Sequence, residues 1–349
     1  MAHAAVSATL SFHHIFRGTA GIFTGQPMSL LWRPLALCRC VFNRRTMTSS
    51  REMDHLERTA NNFRQEADAG PYFCFQPHSF LFFAFNSGAC RPNPESFQII
   101  SPAKVCEVSN ESETVKCVRL AVANNDFTFK AGQWVDFFIP GVPKVGGFSI
   151  CSSPGLLQRE RILELAVKYT EHPPAHWIHT KCDLGSEVAL RIGGDFFFDP
   201  QPWEPPVNLV LIAGGVGINP LFSMLLHVAD LHTARERKES RFEMGTVKLY
   251  YSAKNTCELL FKKKILDLIN KFPEKISCNF HITQQKTQVC EELQPYTTEG
   301  RITEKDLAKC VSKNNLCYIC GPPPMIESLC KQLEKLHVPR QQICFEKWW

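Results

Sequence analysis

The chain has 349 residues, 44% hydrophobic and 21% charged, a balance that belongs to globular proteins and excludes a chain disordered throughout. Its formal net charge is +5, but residues 1–51 hold six arginines and no acid. With those set aside the remainder is close to neutral, which leaves no electrostatic footing for nucleic-acid binding. Sixteen scattered cysteines in a chain this long do not make a secreted disulfide scaffold, and no apolar run reaches the ~18 residues of a membrane-spanning helix.

In chain order, the Arg-bearing, acid-free opening reads as a mitochondrial transit peptide over residues 1–50, removed between Arg45 and Glu52, and the expected location is mitochondrial. His13, His14 and Arg17 interrupt the early apolar run and argue against a secretory signal; an uncleaved terminus is the remaining alternative. Residues 51–101 form a linker with an irregular insertion. Within it, 51–67 suit a short helix carrying Leu56 and Phe63. Residues 68–98 mix Phe73, Phe75, Phe80, Phe82, Phe83 and Phe85 with four prolines and two glycines, and have no sustained period. An aromatic membrane or partner patch is the functional alternative there.

Residues 102–200 carry short strand patterns at 114–122, 133–139, 163–169 and 187–192, separated by Gly and Pro. That spacing predicts a small antiparallel β-barrel. Pro200, Pro202, Pro205 and Pro206 make a stiff boundary. From 207 to 349 the rhythm becomes strand–helix alternation. Residues 208–213 form an apolar run suited to a strand buried on both faces, and Leu221, Met224, Leu225 and Val228 follow at helical spacing. Strands at 247–252, 279–283 and 316–320 alternate with helices at 259–272, at the Thr303/Asp306 capping pattern, and across Ile326, Leu329 and Leu333. The fold class is a two-domain chain, an antiparallel flavin-reductase-type β-barrel followed by an α/β domain with a parallel sheet.

The segment AGGVGINP (213–220) lies between the buried strand and the first helix of the α/β domain. Gly214, Gly215, Val216, Gly217, Ile218, Asn219 and Pro220 are the candidate phosphate cradle. Glycines allow backbone approach there, a helix N-terminus supplies N–H groups and positive dipole, and Pro220 suits a first turn. Proline in place of the third glycine departs from the usual dinucleotide spacing, and a plain Gly-rich turn remains the bland alternative. CGPPPM (320–325) is a second strand-to-helix loop, with Cys320, Gly321 and Pro322 as candidate ligand contacts. Cys317 and Cys320 are not a redox or zinc pair, because residues three apart on a strand face opposite ways. His172, His176 and His179 lack the carboxylate or thiolate partners of a metal site, and none is expected.

GFSICSSP (147–154), AGGVGINP, YYSAK (250–254), CGPPPM and Phe345-Glu346, in that order, resemble the ferredoxin–NADP reductase superfamily over about residues 102–349. The resemblance implies FAD on the barrel and NAD(P)H on the α/β domain, with hydride passing from the nicotinamide to the flavin. It assigns Phe148 to stacking on the flavin ring and Ser149 to a hydrogen bond at its reacting nitrogen. Ser149, Cys320 and Glu346 become the catalytic group, and Trp348 or Trp349 a shield over the flavin. Barrel core for Phe148, a turn hydroxyl for Ser149 and simple packing for the tryptophans are the structural alternatives.

Two departures concern the flavin. The family arginine that clamps its pyrophosphate is replaced by Gly146, with only Lys144 nearby, and the G-x-x-S element appears as HPPA (172–175). Two anion contacts of ~1.5–3 kcal/mol each are missing, so FAD is expected to bind weakly or through backbone N–H groups. Residues 283–285, TQQ, lack the arginine expected for a 2′-phosphate, which favours NADH over NADPH. No iron–sulfur or haem motif follows, so electrons leave to a separate acceptor, protein or small molecule. The sequence therefore points to a flavin oxidoreductase, with an NAD(H)-binding sensor or assembly module of weak or no FAD affinity as the rival.

Overall fold

The computed structural model describes residues 99–238, 242–312 and 314–347. The transit-peptide and linker assignments on residues 1–98, and Trp348 and Trp349, lie outside them.

The first sheet is antiparallel and contains β1 (Ile100–Asn110), β2 (Val115–Val122), β3 (Trp134–Ile139), β4 (Val142–Ser149), β5 (Ile162–Lys168) and β6 (Glu187–Gly193). Two short helices interrupt the series: α1 (Pro154–Glu160) after β4, and α2 (Pro173–Thr180) after β5. The strand order is β4-β3-β6-β1-β2-β5, and one antiparallel bridge between Ile150 and Leu165 ties the two edges of the curled sheet together. Alternation explains the core: Val118, Leu120, Val135, Phe137, Leu163, Leu165 and Leu190 are fully buried on the inner face, while their chain neighbours face outward.

The strand patterns begin only at 114 and do not include β1; Pro102, the expected start of the barrel, sits within the β1–β6 pairing, opposite Ala189. At 172–175 the sequence shows the G-x-x-S position without its glycine and serine, and assigns no element there. Pro173 and Pro174 instead occupy the first positions of α2, where a fixed φ and a missing N–H are tolerated.

The second sheet is parallel: β7 (Asn208–Gly214), α3 (Ile218–Glu236), β8 (Val247–Ala253), α4 (Lys262–Lys271), β9 (Ile276–Ile282), β10 (Thr297–Glu299), α5 (Glu304–Leu307), β11 (Asn315–Gly321), α6 (Pro323–Lys335) and β12 (Ile343–Lys347). Its order is β10-β9-β8-β7-β11-β12. The chain leaves β7 toward β8 on one side and later returns to β11 on the other, which makes the C-terminal ends of β7 and β11 the switch point where such sheets open a crevice. The helix expected at 259–272 is shorter, because Phe261 takes a left-handed φ of 57° and α4 starts after it. The capping pattern at α5 is present, the Asp306 carboxylate accepting from the Thr303 N–H at 2.9 Å.

Each face of this sheet has its own core. Cys317 and Ile319 pack with Val210, Ile212 and α6, whereas Tyr318 and Cys320 pack with α3 and with Phe196 and Phe198 from the barrel side. Cys317 and Cys320 therefore lie on opposite faces. No helix among the described residues is long and apolar enough to cross a membrane.

Candidate functional site

β7 is an unbroken apolar run because both its faces are covered; Leu209–Ala213 expose essentially nothing. It ends in a single tight turn, Gly215–Gly217, and α3 starts at once. Gly215 has φ +56°, is exposed, and an added Cβ there would meet no protein atom within 4 Å. The side-chain space at Gly215 is therefore open to solvent at the N-terminus of a 19-residue helix. That is the geometry of an anion cradle.

The neighbouring glycines are closed off by the second loop. A Cβ on Gly217 would lie 2.3 Å from the Cys320 carbonyl oxygen and 2.8 Å from the Gly321 nitrogen. A Cβ on Gly214 would lie 2.5 Å from the Met325 sulfur and 2.9 Å from Pro322 Cδ. The 214–217 turn and the 320–325 loop are packed backbone to backbone across the switch point, and only glycine permits it. Register carries the row further: Ala213 pairs with Cys320 on β11, and Cys320 pairs with Glu346 on β12. The structure thus brings together the cradle, Cys320, Gly321, Pro322 and Glu346.

The helix that begins at the cradle also holds the barrel. Asn219, Ser223 and Asp230 recur on one face of α3. Asn219 Nδ2 donates to the Ala166 carbonyl at 2.7 Å, Ser223 Oγ donates to the Ser152 carbonyl at 2.6 Å, and Ser153 Oγ donates to Asp230 Oδ2 at 2.7 Å. From the sheet, the Tyr318 hydroxyl donates to the Phe197 carbonyl at 2.8 Å. β4 ends at Ser149, a few residues before Ser152, so the seam fixes Ser149 relative to α3. The sequence reading placed Asn219 among the nucleotide contacts; its side chain faces the barrel, and Oδ1 is buried without a partner.

Phe148 is half-buried on the inner side of β4, edge-on to Phe137 at 5.6 Å between ring centroids. Ser149 is buried on the opposite side of the strand and pairs with Trp134. Burial pushes the Cys317 thiol up to about 12, and burial reinforced by Cys117 raises Cys151 well above the usual range. Neither is a thiolate at neutral pH. Among the described residues no group of three His, Cys, Asp or Glu side chains is arranged to hold a metal. His176 and His179 instead flank the Tyr169 ring.

Sequence reasoning missed one charged residue. A cavity of about 300 Å³ opens beside the cradle, lined by Ser252 at the end of β8, Thr283 just past β9, Arg301, and Pro322, Met325 and Ser328 of the second loop and α6. The described ion pairs of arginine engage Arg119, Arg159, Arg191 and Arg340, not Arg301. The sequence signal was weak, because Arg301 follows a short edge strand far from the TQQ segment, and only the β8-β9-β10 order brings them to one rim.

The residues fit a nicotinamide dinucleotide: the Gly215 face is open, and Pro322 and Met325, which close over Gly214, also line the cavity beyond. For FAD the fit is divided. Phe148 and Ser149 offer a half-buried aromatic and a hydroxyl from the two sides of β4, but among the described residues the usual diphosphate contacts are replaced by Gly146 and by Pro173–Ala175. An oxidoreductase NAD-binding domain model matches residues 211–331. A Xenopus laevis protein named oxidoreductase NAD-binding domain-containing protein 1 is 62% identical over 345 residues, covering 99% of this chain and 100% of that protein. The chain belongs to the oxidoreductase NAD-binding domain-containing protein 1 family. Solved reductase structures share its two-domain fold. A cytochrome P450 reductase from Amycolatopsis aligns at a TM-score of 0.58 and 24% identity, over 71% of this chain and 69% of that one. The FAD/NAD-binding domain of nitric oxide dioxygenase from Vibrio cholerae aligns at 0.55 and 21%, over 71% and 98%. An NAD(P)H-binding oxidoreductase domain is what the oxidoreductase NAD-binding domain-containing protein 1 family and this fold have in common.

Proposed function

We propose that this protein passes hydride from NADH to a flavin seated against β4, and electrons from there to a separate acceptor. The observation that carries the reading is the backbone contact of Gly217 with Cys320 and Gly321, on the helix that also hydrogen-bonds the Ser152 and Ala166 carbonyls. One helix thereby sets both the nucleotide loop and the end of β4.

The chain's own residues have distinct tasks. The 214–217 turn holds the dinucleotide phosphates through backbone N–H groups. Cys320 and Glu346, side by side in register, flank the nicotinamide end of the crevice. Ser149 presents a hydroxyl from the barrel, and Phe148 an aromatic edge. A bound flavin supplies a two-electron acceptor at this junction; the protein's part is to orient it and the nicotinamide and to exclude water.

NADH is the donor favoured by residues 283–285, which carry no arginine of their own and where Gln285 is already tied to the Thr256 N–H at 2.9 Å. NADPH is the second reading, favoured by Arg301 on the cavity rim. Calorimetric titration with each nucleotide tests the function at its first step. Binding of either supports it; binding of neither overturns it. We also propose a mitochondrial location from the acid-free residues 1–51. Those residues fused to a fluorescent reporter should carry it to mitochondria, and a diffuse reporter would reject the proposal.

A further inference from the structure

The barrel shows how the flavin's diphosphate end is dismantled. Gly146 lies on the inner face of β4, opposite Phe137. A Cβ there would sit 2.6 Å from the Phe148 ring and 2.8 Å from Pro174 Cβ. Phe148 and α2 together fill the space that any side chain at 146 would need, so an arginine cannot be restored there without moving the helix.

The helix offers little in exchange. Pro173 and Pro174 take its first two positions, so two of the N–H groups a helix N-terminus normally turns toward an anion do not exist. His172 makes no side-chain cap, and the His176 N–H already donates to the His172 carbonyl at 2.9 Å. Ala175 is left with the one remaining early N–H of that turn. The arginine that register places on the outer face with Ser149 is Arg191, and it is paired with Asp136 at 2.6 Å. The arginine is thus absent, two backbone donors are missing and Arg191 is committed, which leaves the Ala175 N–H and the exposed Lys144 as the donors nearby.

We infer that flavin is an exchangeable substrate of this protein, held by its ring, rather than a resident FAD. The inference rests on the hydride-transfer reading above. The step it implies balances as NAD(P)H plus oxidised flavin plus one proton giving NAD(P)⁺ plus reduced flavin. The hydride leaves nicotinamide C4 with both electrons and forms the new N–H bond at flavin N5, the proton comes from solvent, and the reduced flavin then dissociates to carry the electrons. The acceptor demanded of a separate molecule is in that case the flavin itself.

Binding should then ignore the flavin's tail. Equilibrium quenching of riboflavin, FMN and FAD fluorescence by the full-length protein tests this. The expected result is three dissociation constants within about threefold of one another and no flavin retained through gel filtration. FAD binding more than about a hundredfold tighter than riboflavin, or FAD retained one per chain, overturns the inference while leaving the hydride-transfer reading intact. Absence of nucleotide binding in calorimetry, with the three flavins still bound alike, overturns the hydride-transfer reading and with it the flavin's role as substrate, while the ring-only mode of binding stands. Binding of no flavin at all overturns both. Pro173→Ala, at an exposed position, returns one N–H to the start of α2. FMN and FAD should tighten at least threefold relative to riboflavin, and an unchanged ratio would reject the missing donors as the cause.

Discussion

Gly215 and Gly217 stand two residues apart in one turn, yet alanine should act on them in opposite ways. At Gly215 the added methyl meets no protein atom within 4 Å, so the fold pays only for a left-handed φ of +56°, roughly 1 kcal/mol. The methyl does, however, project into the space assigned to the phosphates. Losing one or two charge-assisted N–H contacts at ~1.5–3 kcal/mol each lowers nucleotide affinity by about tenfold to ten-thousandfold. At Gly217 the methyl would lie 2.3 Å from the Cys320 carbonyl oxygen, which is backbone and cannot swing away. The α3 start must retreat by roughly 1 Å, an overpacking strain of about 1–3 kcal/mol that also loosens the cradle. Thermal unfolding and calorimetric titration of both variants read the two effects apart. Gly215→Ala should keep most of its stability and lose the nucleotide; Gly217→Ala should lose both. A Gly215→Ala protein that binds NADH as the parent does would refute the cradle.

Other consequences follow from the same geometry. Arg301→Ala should weaken NADPH at least tenfold relative to NADH if its guanidinium meets a 2′-phosphate, and equal weakening of both would assign it to the shared pyrophosphate instead. Ser223→Ala removes the buried bond to the Ser152 carbonyl and leaves that oxygen without its hydroxyl donor; a loss of ~1–3 kcal/mol is expected by denaturant titration, and an unchanged midpoint would show that the seam does not bear on stability. His227, His232 and His281 are all held below the ordinary imidazole range by burial, countered in part at His281 by Asp306. The unfolded chain therefore takes up more protons below about pH 6.5, so stability should fall as pH drops from there toward the lowered folded values. His281 is fully buried, and the Gly300 and Arg301 backbone beside it offsets only part of that burial; His281→Leu should make that decline shallower by up to ~1.4 kcal/mol per pH unit, and an unaltered slope would contradict the assignment.

The α/β domain was legible because its strands are continuous apolar runs, and because glycine marks the places where backbones must touch. Gly214, Gly217 and Gly321 read as approach points for a ligand, and the structure shows that they also let two loops about a hundred residues apart pack together. Strand register, invisible in the sequence, then set Cys320 beside Glu346. What escaped was whatever depends on the far side of a contact. Asn219 reads as part of a cradle until α3 is seen to lean on the barrel. Pro173 and Pro174 read only as a phosphate element without its glycine and serine, although their fixed φ starts a helix, and that helix explains why position 146 has no side chain. Arg301 had no local pattern to betray it, since its neighbours on the cavity rim come from the ends of other strands.

Rapid mixing of the anaerobic protein with NADH and free flavin, followed by flavin absorbance, tests the central claim most directly. The account predicts that flavin bleaches in step with nicotinamide oxidation, one for one, and more slowly when the transferred hydrogen of NADH is deuterium. Nucleotide bound with measurable affinity but flavin left oxidised by both NADH and NADPH would contradict it, and would leave the protein a nucleotide-binding module without the chemistry.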